Sequence, residues 1–174
     1  MTVVGDAIGE GNDLRFDGRV CAYFGKRSEG GVIKPEDVEE VIMGLCLFAG
    51  LGQAPSRQAS RFAGLPDSAG CTTISKMCGS AMKATMLAND LLIAGTNKVM
   101  VAGGMESMTN APYILEKARS GYRMGHGKVY DHMFLDGLED AYDKGRLMGT
   151  FAEDTAQAYQ FTREAQDDFA IAST

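Results

Sequence analysis

Apolar positions along this chain fall into short runs of two kinds, and the runs place most of the elements. From Glu40 to Cys46 the residues Val41, Ile42, Met43 and Leu45 are almost continuous, which predicts a strand buried on both faces. Just before it, Pro35, Glu36 and Asp37 suit a helical first turn. Ala54 to Ala63 reads as a short helix, with Pro55 in its first turn, Gly64 at its C-terminal cap and Pro66 just beyond. Cys71 to Met77 contains the β-branched Thr72, Thr73 and Ile74 and predicts a second strand. From Gly79 to Gly95 the apolar residues Met82, Met86, Leu87, Leu91, Leu92 and Ile93 surround a helix with few polar members, which is therefore expected to be buried on most sides. Val99 to Ala102, ending in Gly103 and Gly104, predicts a third strand covered on both faces. Strand, helix and strand in this order imply a right-handed crossover in a parallel sheet, hence an α/β fold.

The flanks read differently. Residues 1–30 keep neither the helical nor the strand period over a useful length, and little order is expected there. Residues 119–149 are rich in glycine, hold both histidines and show no period. This is too long for an ordinary connection and suggests a functional or assembly role. Thr150 with Glu153 reads as a capping box that opens a helix to about Tyr159, and Thr162 can cap a second helix from Arg163, which runs to Thr174 without a stop signal. The chain thus divides into 1–30, a first domain over 31–118, and a second region over 119–174.

Charge and cysteine content narrow the function classes. The formal charge is −6 and no block of like charges concentrates either sign, so neither nucleic acid nor an anionic membrane is an expected partner. No apolar run approaches the roughly 20 residues of a membrane span, and the first residues lack a basic segment followed by an apolar one. The four cysteines, Cys21, Cys46, Cys71 and Cys78, form no C-x-x-C pair, and with two histidines they predict no metal site. A reducing cytoplasm is the expected compartment.

Cys78 is the candidate for chemistry. It follows a predicted strand and precedes a predicted helix, with Gly79 and Ser80 between them. Unpaired amides and the positive end of a helix dipole at such a place favour thiolate, the nucleophilic form. Small neighbours let a substrate approach, and the amide of Cys78 could face an oxyanion. A small buried cysteine is the plain alternative. Cys21, Cys46 and Cys71 read as incidental or buried, and Met82, Met86, Met100, Met105 and Met108 as core filling. His126 and His132 read as polar surface positions or satisfied histidines rather than as a base for Cys78. Gly103-Gly104 lacks the third glycine and the following helix of a dinucleotide fingerprint.

The run Ile74-Ser75-Lys76-Met77-Cys78-Gly79-Ser80-Ala81-Met82-Lys83-Ala84 closely resembles the segment around the acylated cysteine of thiolases. Val101-Ala102-Gly103-Gly104-Met105-Glu106-Ser107-Met108 with Ala111-Pro112-Tyr113 resembles a second thiolase segment. A third runs from Gly121-Tyr122-Arg123-Met124-Gly125 through Leu147-Met148-Gly149 to Thr162-Arg163-Glu164-Ala165-Gln166-Asp167. The resemblance implies a thiolase-like layered α/β fold, one incomplete half with a mixed or parallel sheet and, from residue 119, the beginning of a loop domain. It also implies Cys78 as nucleophile in ping-pong acyl transfer, with acyl-CoA or coenzyme A as substrate and no bound cofactor. Met148 then matches a methionine lining the acyl pocket, and Leu138 lies beside the coenzyme A channel. Leu147 stands where many members have a histidine near the pantetheine arm, and Thr85 where an apolar residue is usual. The family forms dimers or tetramers, pairing the strand that leads into the nucleophile, here Cys71 to Met77. Its activating histidine, Asn-Glu-Ala-Phe loop and second cysteine belong to a later part of the family sequence and have no match here, so inactivity of this chain alone is expected. Two alternatives are a ketoacyl synthase, which shares the fold and the cysteine, and a non-catalytic truncated product that associates or binds coenzyme A weakly.

Overall fold

Three strands form where the apolar runs predict them, and Tyr23–Gly25 adds a fourth to their sheet that no run predicts. A computed structural model describes residues 33–174 and the backbone of Tyr23–Gly25. The strands β1 (Tyr23–Gly25), β2 (Glu40–Gly44), β3 (Gly70–Ile74) and β4 (Val99–Gly104) make one sheet in the order β1-β4-β2-β3. β2 is parallel to both β3 and β4, and β1 is antiparallel to β4. Apart from the β1 strand, the expectation of little order over residues 1–30 lies outside the described residues.

Alternation along β2 and β4 feeds two cores, because successive side chains point to opposite faces. Ile42, Met100 and Ala102 meet Ala84 and Ala88 of helix α2 (Ser80–Ile93) on one face, with Ile74, Leu87, Leu91 and Leu92 packed around them. On the other face Val38, Val41, Met43 and Val101 meet Leu65 and Ala69. Helix α1 (Pro55–Phe62) covers this second side through the small buried residues Ser56, Ala59 and Ser60. It is tied to the sheet by the Ser56 hydroxyl donating to the Val41 carbonyl at 3.3 Å and by the Ser56 amide donating to Thr73 Oγ1 at 3.1 Å. Gly64, at φ +77, ends α1 as its sequence predicts.

Several boundaries and burials depart from expectation. β2 stops at Gly44 rather than Cys46, and β3 at Ile74 rather than Met77. Pro35–Asp37 forms only a 3₁₀ turn, in which the Lys34 amide donates to the Asp37 carboxylate at 2.9 Å. α2 buries a stripe of small residues, Ser80, Ala84 and Ala88, while Met82, Met86 and Ile93 are exposed. The helix is therefore covered on one face, not on most. Met100 is fully buried as core filling, but Met108 joins Met82 and Met86 at the surface.

The stretch without a sequence period is not featureless. β5 (Tyr113–Ile114) and β6 (Tyr130–Asp131) pair antiparallel and close the base of an exposed loop over residues 115–129. A π-helical turn over Phe134–Leu138 follows. Helix α3 (Met148–Ala158) begins two residues before Thr150, so the predicted capping box does not form. The Thr150 hydroxyl instead donates to the Leu147 carbonyl at 2.7 Å. Helix α4 (Arg163–Ser173) does carry its predicted cap, with the Ala165 amide donating to Thr162 Oγ1 at 3.1 Å. Among the described residues no helix is long and apolar enough to cross a membrane.

Candidate functional site

The chain leaves β3 at Ile74 and enters α2 at Ser80, and the turn between them presents Cys78 to solvent. Two backbone bonds tighten the turn: the Gly79 amide donates to the Lys76 carbonyl and the Ser80 amide to the Met77 carbonyl, each at 3.1 Å. These amides, expected to be unpaired beside the cysteine, are thus committed to the turn. Met77, immediately before Cys78, has φ +49, a left-handed conformation that residues other than glycine seldom adopt.

Two glycines seat the first turn of α2. Gly44 and Gly104 are register partners at the ends of β2 and β4. A Cβ on Gly44 would lie 2.6 Å from Ser80 Cβ, and one on Gly104 would lie 2.7 Å from Ala81 Cβ. Neither position has room for a side chain, so backbone meets helix directly. This close approach explains Gly104 without any nucleotide, while Gly103 has ordinary room for a side chain.

Beyond Gly44 the chain continues into a second feature of the site. Glu106 accepts the Cys46 amide at 2.8 Å and the Leu47 amide at 2.9 Å, one on each carboxylate oxygen. Leu45 donates to the Ile74 carbonyl at 3.1 Å. These bonds replace the ladder where β2 ends. Cys46 is half-buried beside Ser80, and burial above all pushes its thiol pKa up. Cys71 is also half-buried, and Cys21 lies outside the described residues.

His132 is buried, and both of its ring nitrogens are occupied. Nε2 accepts the Ala49 amide at 3.3 Å, and Nδ1 lies 2.6 Å from Asp136 Oδ2. An acceptor at Nε2 and a donor at Nδ1 make a neutral imidazole with its proton toward Asp136. The residue docks the 132–138 segment onto the loop that follows β2, where a Cβ on Gly137 would lie 3.3 Å from Leu47. His126 is exposed and lines an open cleft of about 480 Å³ in the loop, with Lys117, Tyr122, Arg123 and Lys128.

Leu138 is half-buried in the π-helical turn. An isolated bridge between Glu139 and Leu147 brings it near Leu147 and Met148, both partly open to solvent. Sequence reasoning missed Glu106 and the docking role of His132, although Glu106 was visible as a carboxylate within an apolar run. Thr85, the other departure from the family pattern, is half-buried on α2.

The site is thus an exposed cysteine on a strained strand-to-helix turn over a mixed, mainly parallel sheet with a helix on each face. Residues 26–174 match the family described as thiolase, N-terminal domain. The acetyl-CoA acetyltransferase of Cupriavidus necator is 51% identical over 141 residues, covering 81% of this chain and 36% of that protein. Acetyl-CoA acetyltransferase 1 of Arabidopsis thaliana is 51% identical over 173 residues, covering 99% of this chain and 41% of that protein. Among solved structures, the Acat5 thiolase of Ascaris suum in complex with coenzyme A aligns with a TM-score of 0.73 at 39% identity, covering 82% of this chain and 36% of that one. The chain belongs to the thiolase family and corresponds to its amino-terminal part. It spans 36% of the length of the Cupriavidus relative.

Proposed function

We propose that this chain carries the nucleophilic half of a thiolase-type acyl transfer. The Cys78 thiolate attacks the carbonyl carbon of an acyl-CoA thioester. The resulting tetrahedral intermediate collapses, the C–S bond to coenzyme A breaks, and coenzyme A leaves as its thiolate, which takes from solvent the proton that Cys78 gave up. The acyl group on Cys78 is then taken by a second coenzyme A thiol, or by the carbanion of acetyl-CoA in the condensing direction. Coenzyme A is a substrate here, and no resident cofactor is needed. Leu138, Leu147 and Met148 line the approach of the thioester in this reading, with Met148 against the acyl group. In this reading the chain associates as a homo-oligomer.

The observation that carries the proposal is the exposed Cys78 on the turn between β3 and α2. That placement suits nucleophilic catalysis, which needs the sulfur accessible and its surroundings fixed. Similarity to acetyl-CoA acetyltransferases supports the substrate class, and the thiolase match favours this reading over a ketoacyl synthase. The test is incubation of the chain with excess acetyl-CoA followed by peptide mass spectrometry. A single acetyl group on the Cys78 peptide, absent from Cys78→Ala, is the expected result. Acetylation of Cys46 or Cys71 at an equal or greater rate would overturn the assignment.

A further inference from the structure

We propose that Ser80 is the positioning residue of the nucleophile turn: its hydroxyl holds Met77 in the left-handed conformation and thereby fixes where Cys78 stands. The proposal rests on the reading of Cys78 as nucleophile. Ser80 is 3% exposed, which is unusual for a serine at the first position of a helix facing a solvent-open turn. Its Oγ accepts the Lys76 amide at 2.8 Å and donates to the Met77 carbonyl at 2.6 Å. A hydroxyl has one proton and two lone pairs. With its proton on Met77, the contact to Cys46 Sγ at 3.9 Å has the Cys46 thiol as donor. The hydroxyl is then saturated, with three partners drawn from the turn and from the end of β2.

Those partners bracket the strained residue. The Lys76 amide lies in the Ser75–Lys76 peptide, one residue ahead of Met77, and the Met77 carbonyl lies in the peptide that enters Cys78. Holding both from one atom fixes the span between those two peptides; the Lys76–Met77 peptide inside that span is held by its carbonyl, which accepts the Gly79 amide at 3.1 Å, and together these bonds fix the Met77 φ of +49. A methionine offers no local bond of its own to favour that conformation, as asparagine or aspartate would. The surrounding structure must hold it. The oxygen is itself immobile because Gly44 and Gly104 leave no space between the sheet and the first turn of α2.

The test measures amide exchange and acylation on Ser80→Ala, with and without Met77→Asn. In Ser80→Ala the backbone amides of positions 79 and 80, which close the turn, are expected to exchange about tenfold faster, with the rest of α2 and β4 unchanged. Acetylation of Cys78 by acetyl-CoA should fall about tenfold, the scale of a misplaced reacting group, while iodoacetamide still alkylates Cys78 within about twofold. Met77→Asn in the same background should restore most of both, because asparagine accepts the left-handed conformation without the clamp. Three outcomes overturn the proposal: unchanged exchange or acetylation in Ser80→Ala, faster exchange throughout α2 and β4, or no recovery with Met77→Asn. An unmodified chain that takes no acetyl group, but whose turn amides respond as expected, sinks the acyl-transfer reading and leaves the clamp standing.

Discussion

At the scale of single residues, the three described cysteines differ in ways that set their chemistry. Cys78 is exposed, Cys71 is half-buried, and Cys46 is half-buried with its thiol pKa raised first by burial. Alkylation requires both access and thiolate. Iodoacetamide near neutral pH should therefore modify Cys78 first, Cys71 next and Cys46 last, with Cys46 gaining most as pH is raised. Mass spectrometry of timed samples ranks them, and a Cys46 that reacts as fast as Cys78 would contradict the placement of both. Gly44 makes a second test. A methyl group there would meet the first turn of α2 at Ser80, and much of what it meets is backbone that cannot rotate away. Gly44→Ala should cost about 3 kcal/mol, the upper end of ordinary overpacking. Urea denaturation reads the loss, and a variant as stable as the parent would show that the notch between sheet and helix is loose.

At the scale of elements, the end of β2 is held by side chains where its ladder stops. Glu106 accepts two amides, one on each oxygen. Glutamine offers only one carbonyl oxygen in that position, so Glu106→Gln should leave one of the two amides unpaired at a cost of about 1–3 kcal/mol. Faster exchange of the Cys46 or Leu47 amide, with the β3 amides unaffected, is the expected signature. β2, β3, β4 and α2 were legible from apolar and β-branched runs that face a buried layer, and α1 from Pro55, Gly64 and Pro66 at its ends, whereas β1 lies in the stretch where little order was expected. Thr162 was legible as a cap because its side chain acts on an amide three residues away. The two-residue strands β5 and β6 were not, since so short a pair carries no period and is set by closure of the 115–129 loop. Thr150 failed as a cap because α3 had already started at Met148. The exposure of Met82, Met86 and Ile93 was also hidden, because hydrophobicity around a helix does not say which face a given chain covers. Cys78 was legible chiefly through family resemblance. The strain at Met77 and the saturated hydroxyl of Ser80 depend on contacts that spacing alone does not reveal.

At the scale of the whole molecule, both histidines of the chain have been placed, and neither is set to serve Cys78. His132 uses both ring nitrogens to dock a segment, and His126 lines the loop cleft. The 174-residue chain by itself should thus show no measurable thiolysis of acetoacetyl-CoA, since a missing general base typically costs 10²–10⁴-fold. Turnover that depends on Cys78 would mean that another group acts as base. Association is the remaining property to test, and the sheet order indicates where to look. Among the described residues β3 is an edge strand. The Gly70 amide and the Ile74 carbonyl both bond toward the β2 side. In a parallel ladder the alternate residues Cys71 and Thr73 therefore turn their backbone groups outward. An uncovered edge of this kind is a template for a second copy, and we propose a dimer in which two β3 strands pair across a two-fold axis. Thr72, at the centre of β3, is exposed, so its substitution does not enter the core. Ile74 packs against the α2 core and would confuse loss of pairing with loss of fold. Thr72→Lys should place two like charges close together across the axis and convert a dimer to a monomer in light scattering at micromolar concentration, with the circular dichroism spectrum retained. A monomeric parent chain, or a Thr72→Lys variant that stays dimeric, would rule out pairing through this edge.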